Sequence, residues 1–321
     1  MAVYTHVYDE ALAELLAQYD IGELLSAKGI AEGVENTNYL VRTDRGTFIL
    51  TLYEQRVREE DLPFFLHLMD HCADRGLSTP RPVHRRDGGF ISTLCGRASA
   101  IVTFLDGLAV RRPGPALCAE LGQGLAALHN AALDFGLRRA NGLGVTEWAP
   151  LFAHSRDQAD SVIPGLAEAV DAELTEIADH WPLALPAGVI HADLFPDNAF
   201  FVRGKLSGII DFYFACNDLL AYDLAICLNA WCFEDDGAFN VTKSRAMIAG
   251  YNNVRALSAP EVEALPILCR GAALRFLLTR LHDWLRVPEG AIVTPKDPKP
   301  YLERLRFHRA VSRPGEYGID L

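Results

Sequence analysis

The 321-residue sequence lacks any surplus of positive charge: 42 Asp and Glu against 30 Lys and Arg leave a formal net charge of -12. Proteins that grip a nucleic-acid backbone usually show a basic face, so this deficit argues against DNA or RNA as a partner. A nucleotide is not excluded, because its phosphates can be held by a metal ion and local amides. Also missing is any uninterrupted apolar run of about 18 residues, so no membrane span is expected. The start, "MAVYTHVYDE", has no basic segment leading into an apolar one, which predicts no signal peptide and a cytoplasmic protein. There are seven cysteines, an odd number, with no C-x-x-C pair. That argues against a disulfide framework or structural zinc and for reduced thiols.

What is present is a chain long enough for about two domains, with 50% hydrophobic and 22% charged residues. "YDEALAELLAQY" (8–19) has helical spacing, and its acidic residues sit near the start, where they suit the helix dipole. "GELLSAKGI", "TNYLVRT" and "GTFILTLYE" read as strand-like, the last two joined by the hairpin signal "DRG". "LPFFLHLMDHCADRG" (62–76) reads as a helix ended by Gly76, followed by strands in "GFISTLCG" and "ASAIVTFLDG". From "PALCAELGQGLAALHNAAL" (115–133) onward helical spacing dominates, with helices expected near 147–160, 165–180, 219–232, 243–250, 260–269 and 271–286. "VPEGAIVTPKDPKP" (287–300), with four prolines, is expected to be irregular. The expected class is α+β: a small β-rich lobe over residues 1–106, a short connector near Leu105–Gly107, and a larger, mostly helical lobe over 107–321. A cleft between unlike lobes suits a ligand.

"VIHADLFPDNAFFVRGKLSGIIDFY" (189–213) sets a histidine, three aspartates and an asparagine in an apolar run. Buried carboxylates are costly unless paired, hydrogen-bonded or bound to a cation. Asp193 and Asn198 lie five apart on a loop that Pro196 stiffens, and a hairpin around "RGK", with strands near 199–203 and 206–211, returns Asp211 toward Asn198. Phosphoryl transfer needs a group to accept the proton of the attacking hydroxyl and hard oxygen ligands for magnesium. An Asp-x4-Asn followed by a hairpin and a second Asp supplies both. The bland alternative is a turn with capping Asp and Asn residues beside an apolar strand.

"HADLFPDN" (191–198), "IIDF" (209–212) and "NDLLAYDLA" (217–225) resemble the kinase-like phosphotransferase family that includes aminoglycoside and choline kinases. The resemblance implies a bilobal, protein-kinase-like fold, ATP and Mg2+ as cofactors, Asp193 as catalytic base, and Asn198 and Asp211 as magnesium ligands. His191 is open to two roles, acid–base chemistry or bracing the loop by hydrogen bonds, and the family favours the brace. Asp223 reads as a helix N-cap by position and, by the resemblance, as a support for the catalytic loop.

On the nucleotide side, "EGVENTNYLV" (32–41) offers Gly33, Asn36, Thr37 and Asn38 to fold over phosphates. "IVTFLDG" (101–107) matches the strand and hinge of kinase-like folds, so Thr103, Phe104 and Leu105 are expected to give adenine its backbone edge. One expected part is absent. Thr51 stands where these kinases usually carry a lysine or arginine, whose partner would be a glutamate in the next helix. Glu59 and Glu60 precede Pro63, and proline inside a helix costs about 3 kcal/mol, so that helix should begin near Asp61 and exclude both. The double loss fits a branch that holds phosphates by amides and magnesium, and also a nucleotide binder that has lost activity.

"GVENTNYLV", "FILTLYE", "HADLFPDN", "AALRFLLTRLHDW" (272–284) and "TPKDPKPYLERLRFHR" (294–309) are together similar to the bacterial homoserine kinases of the aminoglycoside-phosphotransferase type, nearly end to end. Within that branch Thr51 is expected, and the small-molecule acceptor implied is L-homoserine. Its carboxylate wants an arginine fork, its ammonium a carboxylate or aromatic face, and its hydroxyl must reach Asp193 within about 3 Å. Arg275, Thr279, His282 and Arg286 share one helical face. Arg275 is the candidate carboxylate clamp or, equally, an exposed or internally paired residue. Tyr213 and Trp231 are candidate pocket walls or core aromatics. The alternatives are a kinase for another small amino alcohol, such as choline, hydroxylysine or an aminoglycoside, and a catalytically silent nucleotide binder. Retention of Asp193, Asn198 and Asp211 together speaks against the silent binder.

Overall fold

The structure, a computed structural model, describes residues 5–30, 36–54, 57–286 and 295–319. Helix α1 (Asp9–Leu16) carries Asp9 and Glu10 in its first turn and buries Leu12, Leu15 and Leu16. They pack on a five-stranded antiparallel sheet in the order β1-β2-β3-β5-β4. The strands are β1 (Leu24–Ile30), β2 (Thr37–Thr43), β3 (Gly46–Leu52), β4 (Ser92–Leu94) and β5 (Arg97–Thr103). Because side chains alternate along a strand, Tyr39, Val41, Phe48, Leu50 and Leu52 face α1 and form one core. The same alternation leaves Asn38 and Thr51, which pair across β2 and β3, on the opposite face.

Helix α2 (Leu62–Asp74) covers that opposite face, where Phe64, Phe65, Leu68 and Met69 join Ala98, Ala100 and Val102 in the larger core. Pro63 stands in its first turn, where the missing N–H would have had no helical partner. Glu59 and Glu60 lie on a 3-10 turn before α2 and are exposed, so neither enters the cleft from the helix.

The chain continues through β6 (Leu108–Ala109), α3 (Pro115–Ala131), α4 (Val145–Ala153), α5 (Arg156–Val162) and α6 (Leu166–His180). After these come β7 (Ala187–Ile190), β8 (Ala199–Val202), β9 (Lys205–Ile209), β10 (Cys216–Leu219), α7 (Leu220–Trp231), α8 (Val241–Asn252), α9 (Ala259–Trp284) and α10 (Lys299–Ala310). Two expectations change. The helix expected over 147–160 is two, broken at His154–Ser155. Arg286 satisfies the break, donating to the His154 carbonyl at 2.6 Å and to Ser155 Oγ at 3.1 Å. The two helices expected over 260–286 are a single 26-residue α9. Gly271, at the junction of the two expected helices, is a packing residue: a Cβ there would collide with the rings of Trp181 and Trp148.

Two small ribbons aim the central loops. β7 pairs antiparallel with β10, setting Ile190 opposite Cys216, and β8 pairs with β9, setting Ala199 opposite Ile209. The loop 191–198 and the turn after Ile209 therefore emerge side by side. All seven cysteines are free and six are buried. Among the described residues no helix is long and apolar enough to cross a membrane.

Candidate active site

The loop after β7 turns on Ala192, whose φ of +64° is unusual for a residue with a Cβ. Its peptide groups are held from both sides. Asp223, fully buried in the first turn of α7, accepts the Ala192 N–H at 2.9 Å on one oxygen and the His191 N–H at 2.7 Å on the other. Arg275 on α9 donates to the Ala192 carbonyl. A strained turn persists only where its surroundings over-determine it, and here they do. Burial pushes the Asp223 carboxyl up, but the bond and charge of His129 and the His191 N–H outweigh this and hold it below its ordinary value.

His191 lies behind the loop, fully buried. Its Nε2 donates to the Ile210 carbonyl at 2.9 Å, and its Nδ1 accepts the Asp193 N–H at 3.3 Å. That pattern needs the neutral ring with the proton on Nε2, and burial pulls its pKa down accordingly. The ring thus links the loop of Asp193 to the residue preceding Asp211.

Asp193 is half-buried at the loop's apex. Burial lifts its pKa to about 8, with Arg275 pulling down and Asp211 pushing up. Asn198 Nδ2 donates to the Asp193 carbonyl at 2.9 Å, which leaves the amide oxygen Oδ1 for a ligand. The Ile210 N–H donates to the Asn198 carbonyl at 3.0 Å, tying the β8–β9 hairpin to the loop. Asp211 follows in the left-handed region, φ +64°. One amide oxygen and one carboxylate fit magnesium, which keeps waters and takes the remaining oxygens from substrate phosphates. Among the described residues no three His, Cys, Asp or Glu side chains cluster to form a stronger metal cage.

On the sheet side, Thr51 takes the place of the expected cation. Its hydroxyl donates to Asn38 Oδ1 at 2.8 Å and also acts on the hydroxyl of Tyr213. The Tyr213 and Tyr53 hydroxyls meet at 3.1 Å. The surrounding burial raises both phenol pKa values, that of Tyr213 to about 12, so this network is neutral. Thr37 departs from its expected role over phosphates. It is fully buried and turned the other way, its hydroxyl donating to Glu54 at 2.6 Å. Asn36 likewise accepts the Glu54 N–H, at 3.3 Å. Gly33 lies outside the described residues. At the hinge, Thr103 ends β5 and the Phe104 N–H donates to the Thr47 carbonyl. Among the described residues the Leu105 N–H meets no carbonyl.

The three candidate acceptor residues are separated. Tyr213 lies in the interlobe network. Trp231 is 1% exposed and donates from Nε1 to the Leu194 carbonyl at 2.8 Å, anchoring the catalytic loop while edging a cavity beside Pro196. Arg275 is 2% exposed, stacked 4.3 Å from the Phe276 ring centroid, with one nitrogen spent on Ala192. Of its two expected readings, carboxylate clamp or exposed or internally paired residue, the burial and the Ala192 bond favour an internal brace of the loop beside Asp193.

Sequence reasoning missed His129, which donates to Asp223 at 3.1 Å and receives the Tyr251 hydroxyl at 2.8 Å. It sits 94 residues from its carboxylate, and nothing local marks it.

Residues 26–257 match the profile of the phosphotransferase enzyme family. The chain is 63% identical over 319 residues to a homoserine kinase of Xanthobacter autotrophicus, covering 99% of each chain. It is 60% identical over 320 residues to a homoserine kinase of Parvibaculum lavamentivorans, covering all of both. Its fold superposes on that of an amicoumacin kinase solved with AMP-PNP, Ca2+ and Ami, with a TM-score of 0.68, 15% identity, and 94% and 92% of the two chains covered. The bilobal protein-kinase-like architecture is shared across that distance, and the chain belongs to the phosphotransferase enzyme family.

Proposed function

We propose that the protein transfers the γ-phosphate of ATP to the side-chain hydroxyl of L-homoserine, giving O-phospho-L-homoserine and ADP. The observation that carries the acceptor is full-length identity of 58–63% to several homoserine kinases, a range that leaves no domain unmatched. The chemistry rests on the loop geometry. The homoserine oxygen attacks the γ-phosphorus as the bond to the β,γ-bridging oxygen breaks, and its proton passes to a carboxylate oxygen of Asp193. Asp193 is poised by the Ala192 turn, which Asp223 and Arg275 hold rigid. Asn198 Oδ1 and Asp211 would hold Mg2+, which neutralises phosphate charge when bound.

The Leu105 N–H, which meets no carbonyl among the described residues, and the adjoining carbonyls at the hinge are the edge that adenine would use. The neutral Asn38–Thr51–Tyr213–Tyr53 network lies where other family members use a cation, so the phosphates rely on the metal ion and on backbone amides.

The test is an ADP-release assay with Mg-ATP and a panel of L-homoserine, choline, hydroxylysine and an aminoglycoside, run with and without EDTA. Turnover is expected with L-homoserine alone and is lost on chelation. Asp193→Ala should lower it by roughly 10²–10⁴-fold while ATP binding persists. Turnover with a different acceptor would overturn the acceptor, and near-normal turnover of the variant would remove Asp193 from the mechanism.

A further inference from the structure

Helix α10 brings Tyr301 and Arg304 against the C-terminal half of α9, where Arg280 stands. The Arg280 and Arg304 guanidinium carbons each lie 4.4 Å from the centroid of the Tyr301 ring. Arg304 also lies 5.1 Å from the centre of Phe233. Stacking on aromatic faces orients a guanidinium and spares its N–H fork for a planar anion.

Two like charges over one ring call for a counter-ion, yet among the described residues neither arginine pairs with a carboxylate side chain. Among the described residues Arg280 donates to the backbone carbonyl of Asp297 alone, at 3.1 Å. The Tyr301 hydroxyl is fully buried, without a hydrogen-bond partner among the described residues. The unanswered charge adjoins the catalytic loop through a chain of rings, Phe195 on that loop lying 5.0 Å from Phe276 and Phe276 5.2 Å from Tyr301, centroid to centroid. Lys296, 5.4 Å from the ring centre of Phe195 on the catalytic loop, adds a further cation. In a chain of net charge -12, this surplus of positive charge is local and specific.

A cavity of about 280 Å³ opens on the Arg304 side of this stack, bordered by Pro196 of the catalytic loop, Trp231, Pro300, Glu303 and Arg304. That volume suits a molecule of a few carbons rather than an aminoglycoside. Of its carboxylates, Glu234 is already paired with Lys243 at 2.7 Å and Asp235 with Arg112, whereas Glu303 pairs with no cation among the described residues. The rim therefore offers an unanswered cation and an unanswered anion, the pattern of an α-amino acid.

We propose that Arg280 and Arg304, seated over Tyr301, form the fork that receives the α-carboxylate of the amino-acid acceptor, with Glu303 facing its ammonium. This rests on L-homoserine being the acceptor. The carboxylate is then held on the α9–α10 side of Asp193, away from the hinge and the Asn198–Asp211 pair where the nucleotide sits. Only the side-chain hydroxyl of a short amino acid so anchored is left to approach Asp193.

The experiment measures kcat and KM for L-homoserine and for L-homoserinamide, whose carboxylate is replaced by a neutral amide. The proteins are wild type, Arg304→Gln and Arg304→Lys. Arg304 is half-exposed and carries no buried hydrogen bond among the described residues, so its variants should fold, and a thermal melt checks this. Arg304→Gln should raise the KM for L-homoserine on the order of 10- to 100-fold, with the KM for ATP unchanged and kcat little altered. Arg304→Lys, which keeps the charge but loses the fork, should fall between. The amide should be a poor substrate for wild type and lose nothing more in the variants. An unchanged KM for L-homoserine in Arg304→Gln, or an equal loss with the amide, would overturn the clamp while leaving the acceptor in place. No turnover of L-homoserine by wild type would overturn the acceptor reading and the clamp with it.

Discussion

The hydroxyls of Tyr53 and Tyr213 meet 3.1 Å apart, their rings edge to face with centroids 5.3 Å apart. Tyr53 follows the end of strand β3, and Tyr213 comes two residues after Asp211. The contact therefore ties the sheet directly to the turn that carries a proposed metal ligand. Where an ion pair would couple lobes by charge, these hydroxyls couple them by geometry.

Tyr213→Phe removes one neutral hydrogen bond of about 0.5–1.5 kcal/mol. It should raise the KM for ATP by roughly 2- to 13-fold at that energy, with the KM for L-homoserine held. Thr51→Lys, which restores the family's usual cation, should not improve turnover. Glu59 and Glu60 are exposed outside α2, so the new charge would enter a buried site without its partner. Steady-state kinetics against ATP and a thermal melt of each variant decide the matter. An activated Thr51→Lys would contradict the neutral latch.

Much of this site is legible in the sequence because its parts lie close along the chain. The Asp193-x4-Asn198 spacing, the hairpin and Asp211 form one local unit, and residues within 25 positions carry the chemistry. The missing cation at Thr51 and the exclusion of Glu59 and Glu60 by Pro63 are equally local. What stays hidden depends on tertiary packing. Whether Thr37 faces the cleft or α1 follows from the register of a sheet face that only the packed core defines. Gly271 carries the same letter whether it ends a helix or makes room for Trp148 and Trp181. Arg275 and Arg280 sit five apart on one helix, and composition cannot say which is locked to Ala192 and which is left for an anion.

The elevated pKa of Asp193 gives a pH signature. A base must be ionised to accept a proton, so kcat/KM for L-homoserine should fall as pH drops below about 8. Arg275 supplies the largest charge contribution opposing that elevation. Arg275→Met should therefore move the acidic limb to higher pH, beyond any fall in the plateau caused by a loosened loop. For stability the sign is the reverse of an ordinary ion-paired carboxylate. With the folded pKa raised above the unfolded one, ionising Asp193 opposes folding progressively from about pH 4 to pH 8 and fully above that. Asp193→Asn should thus melt higher than wild type at pH 9, with the gain vanishing at pH 4. A limb that stays put in Arg275→Met would dissociate Arg275 from the base.

Asp223 works in the opposite direction and supports the loop rather than the reaction. Its folded pKa lies below the ordinary value, so its contribution is present above about pH 4 and is lost as pH falls through the lowered value. Asp223→Ala leaves the His191 and Ala192 N–H groups buried without their acceptor and removes the partner of His129. Breaking such a buried network costs about 3–5 kcal/mol. Asp223→Asn keeps the shape and one acceptor oxygen, so it should fold and lose only one of the two backbone bonds. The expected result is a lower melting temperature for both variants, larger for alanine. In Asp223→Asn, kcat should fall while the KM for ATP is unchanged, because the Ala192 turn that aims Asp193 loosens while the hinge is untouched. If kcat and melting temperature of Asp223→Asn both matched wild type, the turn would owe its conformation to Arg275 alone.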